Sequence, residues 1–186
     1  LVPFAHEEFE TWTKSLQLGL RTFFEDENLL IGGGLDDVWH DPIKDEVYIV
    51  DYKSTAGRRN ADKTALEPIS LHGAYKEGYK RQMDVYQWIM RKNGFNVSKK
   101  GFFLYVNGDQ HVQNGMLDEN PQKATMKFDV QLIEYIGDDS WVEGAIKQIS
   151  KCLKSSDCPE HSLTGFGPKG DKPCEYKTFL DSLNYN

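Results

Sequence analysis

The run Glu46-Val47-Tyr48-Ile49-Val50-Asp51-Tyr52-Lys53 constrains the fold of this chain more than any other segment. β-Branched and aromatic residues follow one another from Val47 to Val50 with no turn former among them, the signature of a strand inside a sheet. The strand then ends in charge. Two-residue spacing puts the side chains of Asp51 and Lys53 on one face of it. Residues 54–70 are polar and irregular, with Ser54, Thr55, Gly57, Arg58, Arg59 and Asn60, and read as a long loop of the kind that carries function or moves. His72 to Asn93 follows as a long helix stopped by Gly94. Gly101 to Val106 reads as a second buried strand. A strand, a long helix and another strand in that order belong to an α/β protein.

The flanking segments are weaker signals. Phe9, Trp12, Leu16 and Leu20 stand at helical spacing, so His6 to Leu20 is expected as an amphipathic helix. Gly32-Gly33-Gly34 interrupts two extended pieces, Leu29 to Ile31 and Leu35 to His40, as a bulge or a close backbone approach. Asp41-Pro42 and Lys44-Asp45 form the turn of a hairpin leading into Glu46. Met126 to Ile136 is expected as a strand and Ser140 to Leu153 as an amphipathic helix. Together these predict a mixed sheet with helices on both sides. They form one domain over residues 1–153, followed by an irregular tail over 154–186 that is rich in Ser, Pro and Gly. No internal repeat is present.

Composition sets outer bounds. A chain of 186 residues is long enough for one real core. With 39% apolar residues and a mean hydropathy of -0.61, it contains no run approaching the roughly 20 apolar residues of a membrane helix. It also shows no basic-then-apolar leader, so no membrane partner is expected. Its three cysteines, Cys152, Cys158 and Cys174, all fall near the C-terminus. That odd, clustered set does not resemble a secreted disulfide framework, and a cytoplasmic location is expected. The net charge of -7 is unevenly distributed: residues 1–50 carry 3 basic and 11 acidic side chains, and residues 51–100 carry 11 and 5. An acidic segment able to hold cations therefore adjoins a basic one able to hold phosphates, although solvated charge on unrelated faces produces the same counts.

Asp36 and Asp51 sit on adjacent expected strands, and Lys53 shares the Asp51 face. Two carboxylates brought close repel one another, and a hard divalent cation relieves the repulsion. Such an ion lowers the pKa of a bound water and polarises a phosphoryl oxygen, while an ammonium beside it stabilises developing negative charge. Alone, Asp-x-Lys is a common surface ion pair. The surrounding series is less common: Gly34-Leu35-Asp36, then Ile49-Val50-Asp51-Tyr52-Lys53-Ser54, then Gln82-Met83-Asp84-Val85-Tyr86. In order and spacing it closely resembles the RecB-like branch of the PD-(D/E)XK nucleases over roughly residues 1–106.

The resemblance implies a restriction-endonuclease-like core and a DNA hydrolase of exonuclease-like action using Mg²⁺ or Mn²⁺. Asp36 and Asp51 would be metal ligands and Lys53 the catalytic lysine, with Gln82 and Tyr86 orienting these groups from one helix face. Asp36 is favoured over Asp37 as the first acid. The family's first helix often adds a ligand. Here His6 is the candidate, with Glu10 as a substitute, and an imidazole ligand suits manganese. Because branches of the family include helicase-linked and CRISPR-associated exonucleases, a helicase or a CRISPR adaptation protein is the implied partner, beside single- or double-stranded DNA ends.

Some relatives of this kind bind an iron–sulfur cluster. With no cysteine before Cys152 and no compact Cys-x-x-Cys, a cluster is not expected here. A zinc site from Cys152, Cys158, His161 and Cys174 matches no compact signature, so unligated thiols are expected. Phosphate contacts are expected from Arg58, Arg59, Lys76, Lys80 and Arg81, and base stacking from Tyr75 and Tyr79. Two readings compete with the nuclease. One is an inactive nucleic-acid-binding module on the same fold, and the other is an interaction domain in which Asp-x-Lys is only a salt bridge.

Overall fold

The computed structural model describes residues 1–14, 18–109, 116–117, 120, 122–157 and 172–183. It is a mixed α/β structure around a five-stranded sheet of order β1-β4-β5-β6-β7. The elements in chain order are β1 (Val2–Pro3), α1 (Phe9–Trp12), β2 (Leu20–Phe24), a 3₁₀ turn (Glu25–Glu27), β3 (Leu29–Gly33), β4 (Asp37–Asp41), β5 (Glu46–Thr55), α2 (Ala74–Lys92), β6 (Lys100–Asp109), β7 (Lys127–Ile136), α3 (Val142–Lys154) and α4 (Glu175–Leu183). β5 lies antiparallel to β4 and parallel to β6, and β7 runs antiparallel to β6. The long connection that carries α2 from β5 to β6 is what a parallel pair requires.

Central placement explains the composition of β5. Val47, Tyr48, Ile49, Val50 and Asp51 are all buried, and alternation sets in only toward Thr55. α2 covers the face formed by Ile49, Asp51, Phe103 and Tyr105. Gly101 permits the close approach, since a Cβ there would lie 2.5 Å from Met83 Sδ. The helix ends in a Schellman arrangement. Gly94, at φ 88°, donates to Arg91 O at 3.0 Å, and Phe95 donates to Met90 O at 3.2 Å. The expected stop at Gly94 is therefore the observed one.

Asp84 fixes α2 against the far side of the sheet. This buried carboxylate accepts from Tyr135 Oη (3.0 Å), Asp138 N (3.1 Å) and Trp141 Nε1 (3.0 Å). It thereby ties the helix to the end of β7 and the start of α3. The neighbouring Tyr135 phenol is held far above its usual range by burial and by the Asp84 charge.

Three expectations change. The helix expected from His6 to Leu20 is a single turn, Phe9–Trp12. Gly19 takes φ 68°, and Leu20–Phe24 forms a strand with Leu20, Thr22 and Phe24 inward. That strand pairs with β3 in a separate hairpin whose turn residue Asn28 is left-handed, at φ 56°. The tail is not wholly irregular, since Glu175–Leu183 is helical. Among the described residues, helices do not bury both faces of the sheet. On the outer face the rings of Trp39, Tyr48 and Phe102 pack together, while Tyr52, Phe128, Val130, Leu132 and Ile136 stay exposed. No described helix is long and apolar enough to cross a membrane.

Replacing Asp84 with Ala leaves three buried donors without an acceptor, and an expected loss of about 3 kcal/mol follows from the cost of orphaned polar groups. The check is the urea midpoint at constant m. Asp84→Asn should recover part of the loss because its amide oxygen still accepts. A loss under about 0.5 kcal/mol for Asp84→Ala would show that solvent satisfies these donors.

Candidate metal and phosphate site

Under α2, the end of β5 presents Asp51 and Lys53 to the helix and Tyr52 to the outer face, as strand alternation requires. Asp51 is 3% exposed, and its Oδ2 is ion-paired with Lys53 Nζ. Lys53 Nζ in turn donates to Gln82 Oε1 at 3.3 Å, and Gln82 Nε2 donates to Tyr86 Oη at 2.9 Å. Gln82 and Tyr86 are one helical turn apart on α2. The chain Asp51–Lys53–Gln82–Tyr86 thus joins the strand to the helix that covers it.

Asp36 enters from the bend before β4. The β4–β5 ladder stops at Asp37 opposite Val50, so the next inward-running amide, Tyr52 N–H, has no strand partner. The Asp36 carboxylate takes that amide at 2.8 Å. This places the Asp36 charge close enough to act on Asp51 and Tyr86. Asp37 lies on the outer face instead, where it accepts from Trp39 Nε1 at 3.0 Å and from the Tyr52 hydroxyl. That contact pushes the Tyr52 phenol up to about 12.

Burial raises the pKa of Asp51, the Lys53 ammonium pulls it partly back, and the Asp36 charge raises it further. Burial likewise raises Tyr86, against a lowering contribution from Gln82, with the Asp51 and Asp36 charges adding to the rise. A buried carboxylate whose pKa is raised by burial and by the charge of a second carboxylate beside it suits a hard divalent cation. Among the described residues no group of three or more His, Cys, Asp or Glu side chains converges. Mg²⁺ suits such a pair, since it is commonly held by one or two carboxylates and keeps water or substrate oxygens in its other positions.

The remaining expected residues lie as follows. His6 packs among rings, 4.4 Å from Trp12, 5.5 Å from Phe95 and 5.8 Å from Phe4 between centroids, and its Nδ1 accepts from Glu8 N. It does not join Asp36 and Asp51 in a ligand group. Glu10 pairs with Lys14 on an exposed surface. Arg59 is bound to Asp109 and to Lys63 O, which fastens the 56–73 loop to β6. Gly57 N on Asn107 Oδ1, and Ile69 on both amide atoms of Gln131, fasten it further. Lys80 pairs with Glu77. Arg58 and Arg81 are exposed. Cys152 is exposed and Cys174 half-buried, both as free thiols, and Cys158 and His161 lie outside the described residues.

Two contributors escape sequence reading. A Cβ on Gly33 would lie 2.7 Å from Tyr86 Cε1, so the β3 glycine makes room for the Tyr86 ring. Tyr105 stands opposite Lys53 in the parallel register of β5 and β6. The glycine run hinted at a close approach, but nothing in the sequence named the partner.

No family model, curated protein or solved structure matches the chain.

The raised Asp51 pKa has a stability consequence with a definite sign. In the folded, metal-free chain the group holds its proton to higher pH than in the unfolded chain. Its contribution is therefore favourable below the unfolded value and is lost as pH rises through the folded one. Asp51→Asn should accordingly melt above the wild type at neutral pH in chelator, with the gap closing as pH falls toward about 4, near the ordinary value for an aspartate. Melting curves across that range decide it, and a gap that widened on acidification would reverse the assignment.

Proposed function

We propose that this chain is a divalent-metal-dependent nuclease that hydrolyses DNA phosphodiester bonds. In this reading its sheet and α2 form the restriction-endonuclease-like core of the RecB-like PD-(D/E)XK branch. One observation carries it: the buried Asp51–Lys53 pair, with Asp36 beside it, is completed by Gln82 and Tyr86 from the crossing helix. The antiparallel β4–β5 pair followed by α2 and the parallel strand β6 is consistent with such a core.

Asp36 and Asp51 would hold Mg²⁺ or Mn²⁺, which when bound lowers the pKa of a water and polarises the phosphoryl oxygen under attack. Lys53 stands next to Asp51 with its ammonium fixed by Gln82. There it stabilises the negative charge that develops on the phosphoryl oxygens. Tyr86 holds the amide of Gln82 so that its oxygen, not its nitrogen, faces Lys53. Arg58 and Arg81, both exposed, would supply phosphate attraction that positions a strand without reading its sequence. Exonuclease-like action at DNA ends follows from the family resemblance.

The test uses end-labelled single- and double-stranded DNA, with and without Mn²⁺, on the wild type, Asp51→Ala and Lys53→Ala. Cleavage is expected only with metal. Asp51→Ala should lose metal binding by calorimetry. Lys53→Ala should keep metal affinity and DNA binding while its turnover falls by on the order of 10²–10³-fold, the usual effect of removing one preorganised charge-stabilising donor. Lys53→Ala cleaving at the wild-type rate would make Asp-Tyr-Lys a structural ion pair. Metal binding without any cleavage would identify an inactive binding module.

A further inference from the structure

Beside the Asp51–Lys53 pair lies a second cation, Lys76, that has no carboxylate partner among the described residues. Lys76 on the first turn of α2 is half-buried, and its Nζ donates to Tyr105 Oη at 2.9 Å. The same ammonium sits 4.6 Å from the Tyr105 ring centroid, 5.3 Å from that of Tyr79 and 5.7 Å from that of Tyr75. Among the described residues it forms no salt bridge with any carboxylate, whereas Lys53, Lys80 and Lys92 each have one.

Tyr105 is 1% exposed and accepts from Lys76, and its own O–H donates to no described acceptor. Tyr79 donates to Tyr75 at 2.6 Å, so the Tyr75 hydroxyl proton also points onward. Ring faces attract the ammonium but neither neutralise it nor accept the phenolic protons. A cation withdrawn from water without a counter-charge is unfavourable unless an anion joins it.

The location narrows the anion. Lys53 Nζ lies 4.7 Å from the same Tyr79 ring, so the two ammoniums are at most about 10 Å apart, roughly the Debye length at 0.1 M salt. Tyr105 is the cross-strand neighbour of Lys53. An anion on Lys76 would therefore stand alongside the site proposed for the attacked phosphate.

We propose that Lys76 and the Tyr105 hydroxyl form a phosphate-binding subsite that holds a second phosphate of the nucleic-acid strand next to the metal site. Lys76 supplies charge and two remaining N–H donors, and Tyr105 supplies its unpaired O–H. The Tyr75 and Tyr79 rings flank the path of that strand. The identity of the bound strand rests on the nuclease reading, and the anion site itself does not. The subsite binds and positions substrate and is not part of the bond-breaking chemistry.

The experiment uses the full chain and four variants: Lys76→Met, which keeps the aliphatic stem among the rings, Lys76→Arg, Tyr105→Phe and, as a control, Lys44→Met in the exposed β4–β5 turn. Inorganic phosphate binding is followed by calorimetry in chelator. Steady-state cleavage of a short single-stranded oligonucleotide is followed in Mn²⁺. Wild type and Lys44→Met should bind phosphate saturably, Lys76→Met should not, and Lys76→Arg should retain most of the affinity. In cleavage, Lys76→Met should raise KM by on the order of tenfold or more, the effect of losing a charge-assisted contact. Its kcat should stay within about twofold of the wild type, since ground-state and transition-state binding fall together. Tyr105→Phe should raise KM by a smaller factor. Phosphate binding to Lys76→Met equal to wild type, or a fall in its kcat at unchanged KM, overturns the subsite. If the wild type binds phosphate through Lys76 and cleaves nothing, the subsite stands and the nuclease reading falls.

Discussion

Burying the Asp51 carboxylate at the end of a central strand is the constraint to which the rest of the site answers. An ion withdrawn from water costs several kcal/mol even after relaxation, and a single partner offsets this only in part. Lys53 lies two residues on, on the same strand face, and gives Asp51 the nearest positive charge. The pair still leaves the carboxyl above its ordinary pKa, because the Asp36 charge adds to burial. A wholly structural salt bridge would gain from excluding Asp36, yet the Tyr52 amide beyond the end of the β4–β5 ladder draws that carboxylate in. Local backbone geometry thus assembles two acids and one base at a point where stability alone favours fewer.

The position of α2 decides which side chains meet that pair. Asp84 pins the helix to the β7–α3 connection through three donors, and the Schellman stop at Gly94 sends the chain on toward β6. Gly101 and Gly33 lack the Cβ atoms that would hold the helix off. With α2 so placed, Tyr75, Tyr79, Gln82 and Tyr86 fall on one stripe over the strand ends. A helix one residue out of register would present Arg81 and Val85 instead.

Local pattern carried much of this. The β5 strand, the extent of α2, its glycine stop, the Asp41–Asp45 turn and β7 are elements whose period or turn chemistry is self-contained, and each is legible in the sequence. The sequence suggests a longer first helix because Leu20 continues the period of Phe9 and Trp12 by coincidence. Gly19 and the two-residue alternation of Leu20, Thr22 and Phe24 mark the strand that is there. Asp36, Asp51, Lys53, Gln82 and Tyr86 were legible through motif order. Tyr105 and Gly33 were not, since strand register and helix approach bring them in from other elements. His6 has the right chemistry for a ligand, but the rings of Phe4, Trp12 and Phe95 enclose it.

Charge shows where reading by count fails and why. The basic excess of residues 51–100 resembles a continuous phosphate-binding stripe when it is counted along the chain. In three dimensions, six of its eleven basic residues are ion-paired among the described residues: Lys53, Arg59, Lys80, Arg91, Lys92 and Lys100 meet Asp51, Asp109, Glu77, Asp139, Glu143 and Glu134. Several of these acids come from strands and helices far along the sequence, so no window of sequence reveals the neutralisation. What distinguishes Lys76 is its environment, because it is withdrawn among aromatic rings with a phenol as its hydrogen-bond partner. An exposed lysine without a partner is solvated and says little. A half-buried one beside a buried phenol whose proton has no acceptor among the described residues is the donor set on which the proposed anion site rests.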